Sequence, residues 1–383
     1  MTVPQELQQF TTTAWPWRPG NEFEFLVDGA QFFARMLDSI DTARAYVLLE
    51  LYLVNSGGIA TRFIEALLQA RLRGVRVYAV FDGFGALGLR RADRELLLAA
   101  GVELRFFNPL RLRKRLLNLR RDHRKLLLVD GRVAFVGGAG LSDEFASGIA
   151  GEPPWREMMV QIAGPVVADW QRAFADTWRR CGDALALEAP PLAAPHPAGA
   201  AGRLALSEAR QRSILASDVI RRFEAARERI WVMSAYFVPS RRFRKALRRA
   251  ARRGVDVRLL VPGTRTDHPW VRQAARRFYG KLLRNGVRIF EYQPRMLHAK
   301  MILCDEWVSI GSSNLDRWSF RWNLEANQQI ADRRASDAAA ALFVADFADS
   351  TQLSRHRWRE RAWLDRVRES IAGVLDRWLD RWR

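Results

Sequence analysis

Cysteine is almost absent from this chain of 383 residues, which has only Cys181 and Cys304. Two cysteines so far apart in sequence exclude a disulfide framework and a cysteine-based zinc cluster, and we interpret each as a small buried apolar residue. No segment reaches the roughly 20 uncharged apolar residues that a membrane-spanning helix needs. The N-terminus has neither the basic leader nor the apolar stretch of a secretory signal. These absences predict a protein that stays in the cytoplasm, where it can still lie on a membrane surface.

Lysine is also scarce, yet the chain is strongly basic, with 62 Lys and Arg residues against 42 Asp and Glu and a formal net charge of +20. A coding bias toward arginine would explain the shortage of lysine but not the surplus of bases. A surface so basic attracts polyanions, either nucleic acid or the anionic face of a bilayer, and the charge alone does not choose between them. An apolar fraction of 49% argues against disorder.

The chain reads as two similar halves joined by a linker rich in Ala and Pro, between Gly182 and Gly202. In each half a helix end, a strand, a helix, Gly-Val, a second strand, a helix, Gly-Val and a third strand follow one another. The strands VRVYAVF and VDVRLLV are apolar on both faces, as in a sheet buried between helices. We therefore predict an α/β fold of two duplicated halves, each a mixed β-sheet flanked by helices. The predicted bounds are 1–182 and 203–350 for the halves, 183–202 for the linker and 351–383 for a basic, tryptophan-containing amphipathic C-terminal helix.

A His-x-Lys-x4-Asp motif follows the third predicted strand of each half. Residues two apart on a strand share a face, so each His and its Lys are expected to point into one cleft, while the Asp braces the following turn. A single match would be weak evidence, but this one occurs twice at equivalent places and uses two of only five histidines. The candidate residues of the two motifs are His123, Lys125, Asp130, His298, Lys300 and Asp305.

These residue types suit the exchange of an alcohol on a phosphodiester without a metal. Such a reaction needs a nucleophile that can hold the phosphoryl group, an acid for the departing alkoxide and cations around the charged oxygens. Imidazole can do the first two jobs because its pKa lies near neutrality. The lysines would supply the cations. In the small-residue turn after the second motif, Ser312, Ser313 and Asn314 would add phosphate-binding donors.

Two glutamates are candidates to hold the second ring nitrogen of the histidines, as the acid does in a Ser-His-Asp triad. Glu157 follows the first motif and Glu325 follows the second at a similar distance. Apolar residues flank both glutamates, which favours this role over that of an exposed or ion-paired surface acid.

The paired motifs, the Gly-Gly and Gly-Ser-Ser-Asn turns and the glutamates resemble the phospholipase D superfamily. The longer strings HRKLLLVDGRVAFVGG and GSSNLDRWSFRWNLEAN resemble bacterial cardiolipin synthase, most closely its shorter B type, and the resemblance extends from about residue 20 to about residue 349. It implies two phospholipase D-like halves related by a pseudo-twofold axis, with the active site between them. It also implies phosphatidyl transfer from phosphatidylglycerol or another phospholipid to an alcohol such as phosphatidylglycerol or glycerol, through a phosphohistidine and without a cofactor or metal.

By the same analogy His123 is the nucleophile, His298 the acid and base, Lys125 and Lys300 the phosphate ligands and the two glutamates the orienting residues. The sequence itself leaves the order of the histidines open, because the halves are nearly equivalent. The chain departs from the family pattern in having Gly140 where the first half of relatives commonly has Asn. It also has Asn55 and Glu157 where relatives often have Asp.

Two segments bear on the membrane. RLRKRLLNLR, between Pro109 and His123, has no counterpart in the second half and alternates bases with leucines, which suits contact with lipid headgroups. The C-terminal stretch predicts either a helix packed on the core or an interfacial anchor, because apolar residues at helical spacing lie opposite arginines. These apolar residues are Leu364, Val367, Ile371, Val374, Leu375, Trp378 and Trp382.

Three hypotheses remain. The first is a lipid phosphatidyltransferase, a peripheral protein at the cytoplasmic face of a bacterial inner membrane. Its partners would be an anionic phospholipid surface, phosphatidylglycerol and an alcohol, with no nucleic acid and no obligate protein partner. The second is a phosphodiesterase that hydrolyses phospholipid or nucleic acid at the same site. The third is a basic binding protein without activity, which the two intact motifs disfavour.

Overall fold

The computed structural model describes residues 15–188, 192–208 and 214–361. The strands of the first half are β1 (Arg18–Val27), β2 (Tyr46–Leu51), β3 (Arg76–Asp82), β4 (Glu103–Phe107), β5 (Arg121–Asp122), β6 (Lys125–Val129), β7 (Val133–Gly137) and β8 (Met158–Ala163). Its α-helices are α1 (Asp28–Asp41), α2 (Gly58–Leu72), α3 (Arg91–Ala99) and α4 (Val167–Arg180). Short 3-10 helices cover Leu112–Leu119 and Asp143–Phe145.

The second half repeats this arrangement. Its strands are β9 (Ala200–Ser207), β10 (Arg229–Met233), β11 (Asp256–Pro262), β12 (Arg288–Tyr292), β13 (Met301–Cys304), β14 (Trp307–Gly311), β15 (Asn323–Ala331) and β16 (Ser350–Gln352). Its helices are α5 (Ile214–Ala225), α6 (Arg241–Arg252), α7 (Pro269–Arg276), α8 (Tyr279–Leu283), α9 (Arg317–Trp322), α10 (Arg333–Ala348) and α11 (Arg355–Glu360).

The strands of both halves join in one sheet of order β16-β12-β11-β10-β13-β14-β15-β9-β1-β8-β7-β6-β2-β3-β4, with β5 beside β15. The strands β1 and β9 pair antiparallel at its middle. Outward from them the order is the same on both sides as far as β4 and β12, as a pseudo-twofold axis requires, and β16 adds a further edge strand beside β12. In each half three strands are parallel, β2-β3-β4 or β10-β11-β12, and the strands nearer the middle are antiparallel. The predicted fold of two duplicated α/β halves, each with mixed pairing, is confirmed.

Glycines end the helices that lead into the parallel strands. Gly74, Gly101, Gly254 and Gly286 have φ of 85°, 80°, 92° and 87°, the left-handed conformation in which glycine meets no Cβ penalty. Every residue of β2 is buried, because helices cover both faces of the parallel strands. Each large apolar side chain buried in this way stabilises the fold by roughly 1.5–3 kcal/mol.

The connection between the halves has no helix or strand in the described residues 183–188 and 192–199. The strand β9 begins at Ala200, within the last residues of the predicted linker, because Ala200 and Gly202 pair with β1. Near the other end of the described chain, Trp358 of α11 is buried against Tyr279, with ring centroids 5.5 Å apart. The predicted apolar stripe from Leu364 to Trp382 lies outside the described residues. Among the described helices, none has the length and apolar character needed to cross a bilayer.

Candidate active site

Both histidine motifs open into one cavity of about 570 Å³. It lies where the parallel strands of both halves have their carboxyl ends, the usual ligand-binding edge of such sheets. His123 and Lys125 line it from the first half and His298 lines it from the second. Lys300 is 2% exposed and lies against the His298 ring. The structure therefore brings the two predicted His-Lys pairs to a single site.

The histidine of the first half is held by the second half. The backbone N–H of His123 donates to the Leu324 carbonyl at 2.9 Å, and His123 Nδ1 lies 3.0 Å from Glu325 Oε2. This contact follows from the parallel pairing of β5, just before His123, with the start of β15. Glu325 is completely buried, so its carboxylate is fixed relative to the ring.

The histidine of the second half is held by the first in the same way. The backbone N–H of His298 donates to the Arg156 carbonyl at 2.8 Å, and His298 Nδ1 lies 2.5 Å from Glu157 Oε2. The sequence placed each glutamate by its distance from the motif of its own half, whereas the contacts are exchanged between halves. The exchange arises because both glutamates lie on or beside the inner strands β8 and β15, which face the opposite motif. With Nδ1 held by a glutamate, Nε2 is the nitrogen of each ring that remains for chemistry. In His298 this Nε2 also lies 3.1 Å from Lys300 Nζ.

Burial and the neighbouring charges set the protonation of these groups. Burial lowers the pKa of His123 against the opposing effect of Glu325. Burial and the Lys300 charge lower the pKa of His298 to about 4, although Glu157 raises it. Burial alone would raise the pKa of Glu157, but Lys300 and His298 lower it to about 2. Without substrate, both imidazoles are therefore neutral near pH 7 and Glu157 is ionised.

The lysines share one electrostatic environment. Lys125 Nζ donates to the His123 carbonyl at 2.8 Å, and burial lowers the pKa of Lys125 to about 7, an effect that Lys300 reinforces and Glu325 opposes. Burial also lowers the pKa of Lys300, whose Nζ lies 3.6 Å from Glu157 Oε2. An anionic phosphodiester between these lysines would stabilise their charged forms.

Comparison with known proteins identifies the family of this chain. A sequence profile described as "Cardiolipin synthase, PLD-like domain" matches residues 36–178 and 219–347, one segment in each half. The chain belongs to this phospholipase D-like family. Cardiolipin synthase A from Pseudomonas putida (strain W619) is 34% identical over 342 residues, which are 88% of this chain and 71% of the relative. Cardiolipin synthase A from Pseudomonas entomophila (strain L48) is 34% identical over 367 residues, 94% and 75% of the two chains.

The fold is shared with a phosphatidylserine synthase from Haemophilus influenzae Rd KW20. The TM-score is 0.75 at 13% identity, over 98% of this chain and 96% of that one. The prediction of a phospholipase D-type phosphatidyltransferase that resembles cardiolipin synthase is therefore confirmed. The relatives named above are designated A, whereas the sequence strings suggested the B type.

The turns that follow β7 and β14 differ within this phospholipase D-like site. Of the three predicted phosphate donors, only Asn314 lines the cavity, where its Oδ1 accepts from the Tyr236 N–H at 3.3 Å. Ser312 instead donates from Oγ to Glu325 Oε2 at 2.5 Å, and the Ser313 N–H donates to Asn327 Oδ1 at 3.2 Å. Neither Ser312 nor Ser313 lines the cavity, because the Ser312 hydroxyl donates to Glu325 of β15 and the Ser313 hydroxyl donates to the Asn314 carbonyl at 3.5 Å. Their role as phosphate donors stays a prediction. In the first half, Gly138 and Gly140 line the cavity at the equivalent positions.

The aspartates of the two motifs lie away from the cavity. Asp130 and Asp305, grouped above with the catalytic candidates, stand in left-handed turns with φ of 52° and 50°. The Asp130 carboxylate accepts from three consecutive backbone N–H groups, those of residues 44–46, at 2.8–2.9 Å. Asp305 does the same for residues 227–229 at 3.0 Å. Asp130 and Asp305 are thus positioning residues. They join the ends of β6 and β13 to the starts of the parallel strands β2 and β10.

Two tyrosines that line the cavity were missed in the sequence. The ring centroid of Tyr52 lies 4.8 Å from that of His123, and the centroid of Tyr236 lies 6.2 Å from that of His298. The signal was present, because the strings LYLV and AYFV follow equivalent strands. Tyr236 also donates a hydrogen bond to Asp267, which lines the cavity beside His268.

Proposed function

We propose that this enzyme transfers a phosphatidyl group from phosphatidylglycerol, or another phospholipid, to an alcohol such as a second phosphatidylglycerol or glycerol. The observation that carries the proposal is the exchanged pairing of two histidines and two glutamates around one cavity. Each half supplies one reacting imidazole and the carboxylate that orients the other, so neither half forms a complete site alone. The cardiolipin synthase relatives support lipid as the substrate class.

In the first step His123 Nε2 attacks phosphorus and the bond to the leaving alcohol oxygen breaks. His298, in its protonated form, gives its proton to that oxygen, and the phosphatidyl group is left on His123. In the second step His298 takes a proton from the acceptor alcohol, whose oxygen attacks phosphorus and frees His123. Glu325 stabilises the positive charge that His123 gains on attack. The order of the histidines is assigned by family resemblance.

Substrate binding would also prepare His298 as an acid. Lys300 Nζ lies 2.8 Å from His298 Nδ1 and suppresses protonation of the ring. A phosphate oxygen is a better partner for this ammonium than a neutral ring is, because the hydrogen bond becomes charge-assisted. When Lys300 turns to the phosphate, the remaining contact with Glu157 raises the pKa of His298.

Membrane association fits the lipid substrates of this family. We place the enzyme at the cytoplasmic face of a bacterial inner membrane as a peripheral protein, supported by the +20 net charge. Its proposed partners are an anionic phospholipid surface, phosphatidylglycerol and the acceptor alcohol.

Purified enzyme incubated with phosphatidylglycerol liposomes tests the function. A diphosphatidyl product is expected, with glycerol released. Phosphatidic acid as the sole product would instead support hydrolysis, since water would then be the acceptor. Nicking of single-stranded DNA with no change in lipid would support the nucleic-acid alternative and contradict the proposal. Competing alcohols in the same assay define the acceptor.

A further inference from the structure

We propose that the rim of the cavity is a docking surface for an anionic lipid bilayer, a proposal that rests on the lipid substrate class of the proposed function. The cavity rim is defined by large apolar side chains that are 47–66% exposed although they belong to a folded enzyme. They are Phe84, Leu87, Leu110, Leu116, Leu117, Ile149 and Trp270.

All members of the cavity rim stand on segments that follow strands at the cavity edge of the sheet. Ile149 lies between Phe145 and Trp155 in sequence, and both of these line the cavity. Trp270 lies between the cavity-lining residues His268 and Val271. The leucines at 110, 116 and 117 precede the lining residues 121 and 123. Ile149, Trp270 and the three leucines therefore stand on segments that also carry cavity-lining residues, at the edge of the sheet where a headgroup would enter.

Contacts between these segments make the cavity rim a built surface rather than separate loops. Asn108 Nδ2 donates to the Leu117 carbonyl at 2.8 Å and to the Arg120 carbonyl at 2.7 Å. The Gly83 N–H donates to the Phe107 carbonyl at 2.8 Å, which joins the segment after β3 to the segment after β4. Segments from the two halves meet through Arg265 and Glu152, 3.3 Å apart.

The charge of the rim points to an anionic surface. Between Asn108 and Arg121 the chain contains no acid, and Arg111, Arg113 and Arg115 are exposed among its leucines. In the second half His298 follows the end of the equivalent strand so closely that no such segment exists. Bases interleaved with apolar side chains suit the headgroup region of an anionic bilayer, where the bases meet phosphate and the leucines enter the acyl boundary. A nucleic acid would match the bases but leave the leucines in water.

Vesicle binding by wild type and rim variants tests the proposal. Leu116→Ser combined with Leu117→Ser alters one segment, and Trp270→Ser alters a second segment in the other half. Each variant is expected to bind phosphatidylglycerol-containing vesicles about tenfold or more weakly than wild type. Leu72→Ser is the matched control, since Leu72 is 80% exposed at the end of α2, on the opposite edge of the sheet. The control should bind like wild type. Binding should fall with salt and be weak on pure phosphatidylcholine.

This design tests the docking surface and the proposed function independently, so that either can be contradicted without the other. Vesicle binding is measured on His123→Ala, which cannot turn lipid over, and turnover is measured on a short-chain, water-soluble phosphatidylglycerol. Rim variants that bind vesicles like wild type, or a Leu72→Ser control that loses as much binding as they do, would overturn the docking surface, whatever the turnover. Rim-dependent vesicle binding without turnover of either lipid form would uphold the surface and overturn the function.

Discussion

His298 in the second half is buried more deeply than His123 in the first, with 8% of its side chain exposed against 14%. Both lysines donate to the backbone carbonyl of their own histidine, but Lys300 also contacts the His298 ring, whereas Lys125 lies over the face of Tyr52, 5.2 Å from its centroid. The two halves thus share a strand order and an exchanged glutamate but surround their histidines with different charges. A duplicated scaffold has kept its geometry while its two reacting groups have become unequal, as separate roles of nucleophile and acid require.

Removing either histidine is the strongest test of this inequality. His123→Ala and His298→Ala are each expected to lower turnover by about 10⁴-fold or more, because each ring does a job that the other cannot do. If His123 is the nucleophile, His298→Ala should accumulate a phosphatidyl adduct on His123 with a donor whose leaving group needs no acid. Mass spectrometry of the digested protein checks where the adduct lies.

Substantial turnover by either single variant would contradict a shared site. An adduct on His298 in the His123→Ala variant would reverse the assigned roles while keeping the site. Retained melting temperature in both variants is the control for folding.

Substitutions of the two exchanged glutamates are expected to have the next largest effect on turnover. Glu157→Gln and Glu325→Gln are each expected to reduce turnover by roughly 10²–10⁴-fold, the usual contribution of a positioned acid or base. Because Glu157 raises the pKa of His298, Glu157→Gln should lower that pKa further below about 4 and leave His123 unaffected. NMR titration of the two histidines measures this. A shift at His123 instead would mean that the glutamates act within their own halves.

Much of this arrangement could be predicted from the sequence, and there is a physical reason why the rest could not. The repeat, the capping glycines and the motif residues depend on local spacing, so they could be predicted. Which glutamate meets which histidine depends on the pairing of β5 with β15 and on the contact of Arg156 with residues 297–299, which no local pattern encodes. The positions of Ser312 and Ser313 outside the cavity could not be predicted for the same reason, since the direction of a side chain in a turn depends on its neighbours in the folded chain.

Lys125 offers a test that separates activity from stability. Neutralising it by Lys125→Met is expected to lower turnover by about 10²-fold, the scale of losing one preorganised donor to a charged oxygen. The same change should raise the melting temperature by a few degrees. Burial lowers the pKa of Lys125 to about 7, so the unfolded chain binds the proton more tightly and the charged lysine destabilises the fold. This destabilisation is full below pH 7 and is lost between about pH 7 and 10.5.

Calorimetry of wild type and Lys125→Met from pH 6 to 10 checks the sign. The gain in melting temperature should be greatest at pH 6 and shrink toward pH 10. Lys281→Met, on the surface helix α8, is the matched control. A variant that is less stable than wild type at pH 6 would show that Lys125 contributes more through its contacts than it loses through burial.

Substitutions in the turns after β7 and β14, which differ between the halves, should lower turnover by a smaller factor. Ser312→Ala removes the hydroxyl that fixes Glu325 and is expected to lower turnover by about threefold to tenfold, the value of one hydrogen bond. Gly138→Ser does not restore symmetry, because a Cβ there would lie 2.3 Å from Glu157 Oε2 and displace that carboxylate. Its loss of turnover should therefore exceed that of Ser312→Ala. Equal losses would indicate that the two glutamates tolerate displacement alike.

Substitutions of Asp130 and Asp305, the aspartates of the two motifs, should have the most similar effects in the two halves. They should also have the smallest effect on turnover. Asp130→Asn and Asp305→Asn each weaken three hydrogen bonds from backbone N–H groups, so each is expected to reduce the free energy of unfolding by roughly 1–3 kcal/mol. Turnover at a temperature where both remain folded should stay within about threefold of wild type. Asp337→Asn, an exposed carboxylate of α10, is the control and should change neither quantity. Because the turns have the same geometry, denaturant unfolding should give similar losses for both variants, and a large loss of turnover in only one would mean that its brace also positions the histidine.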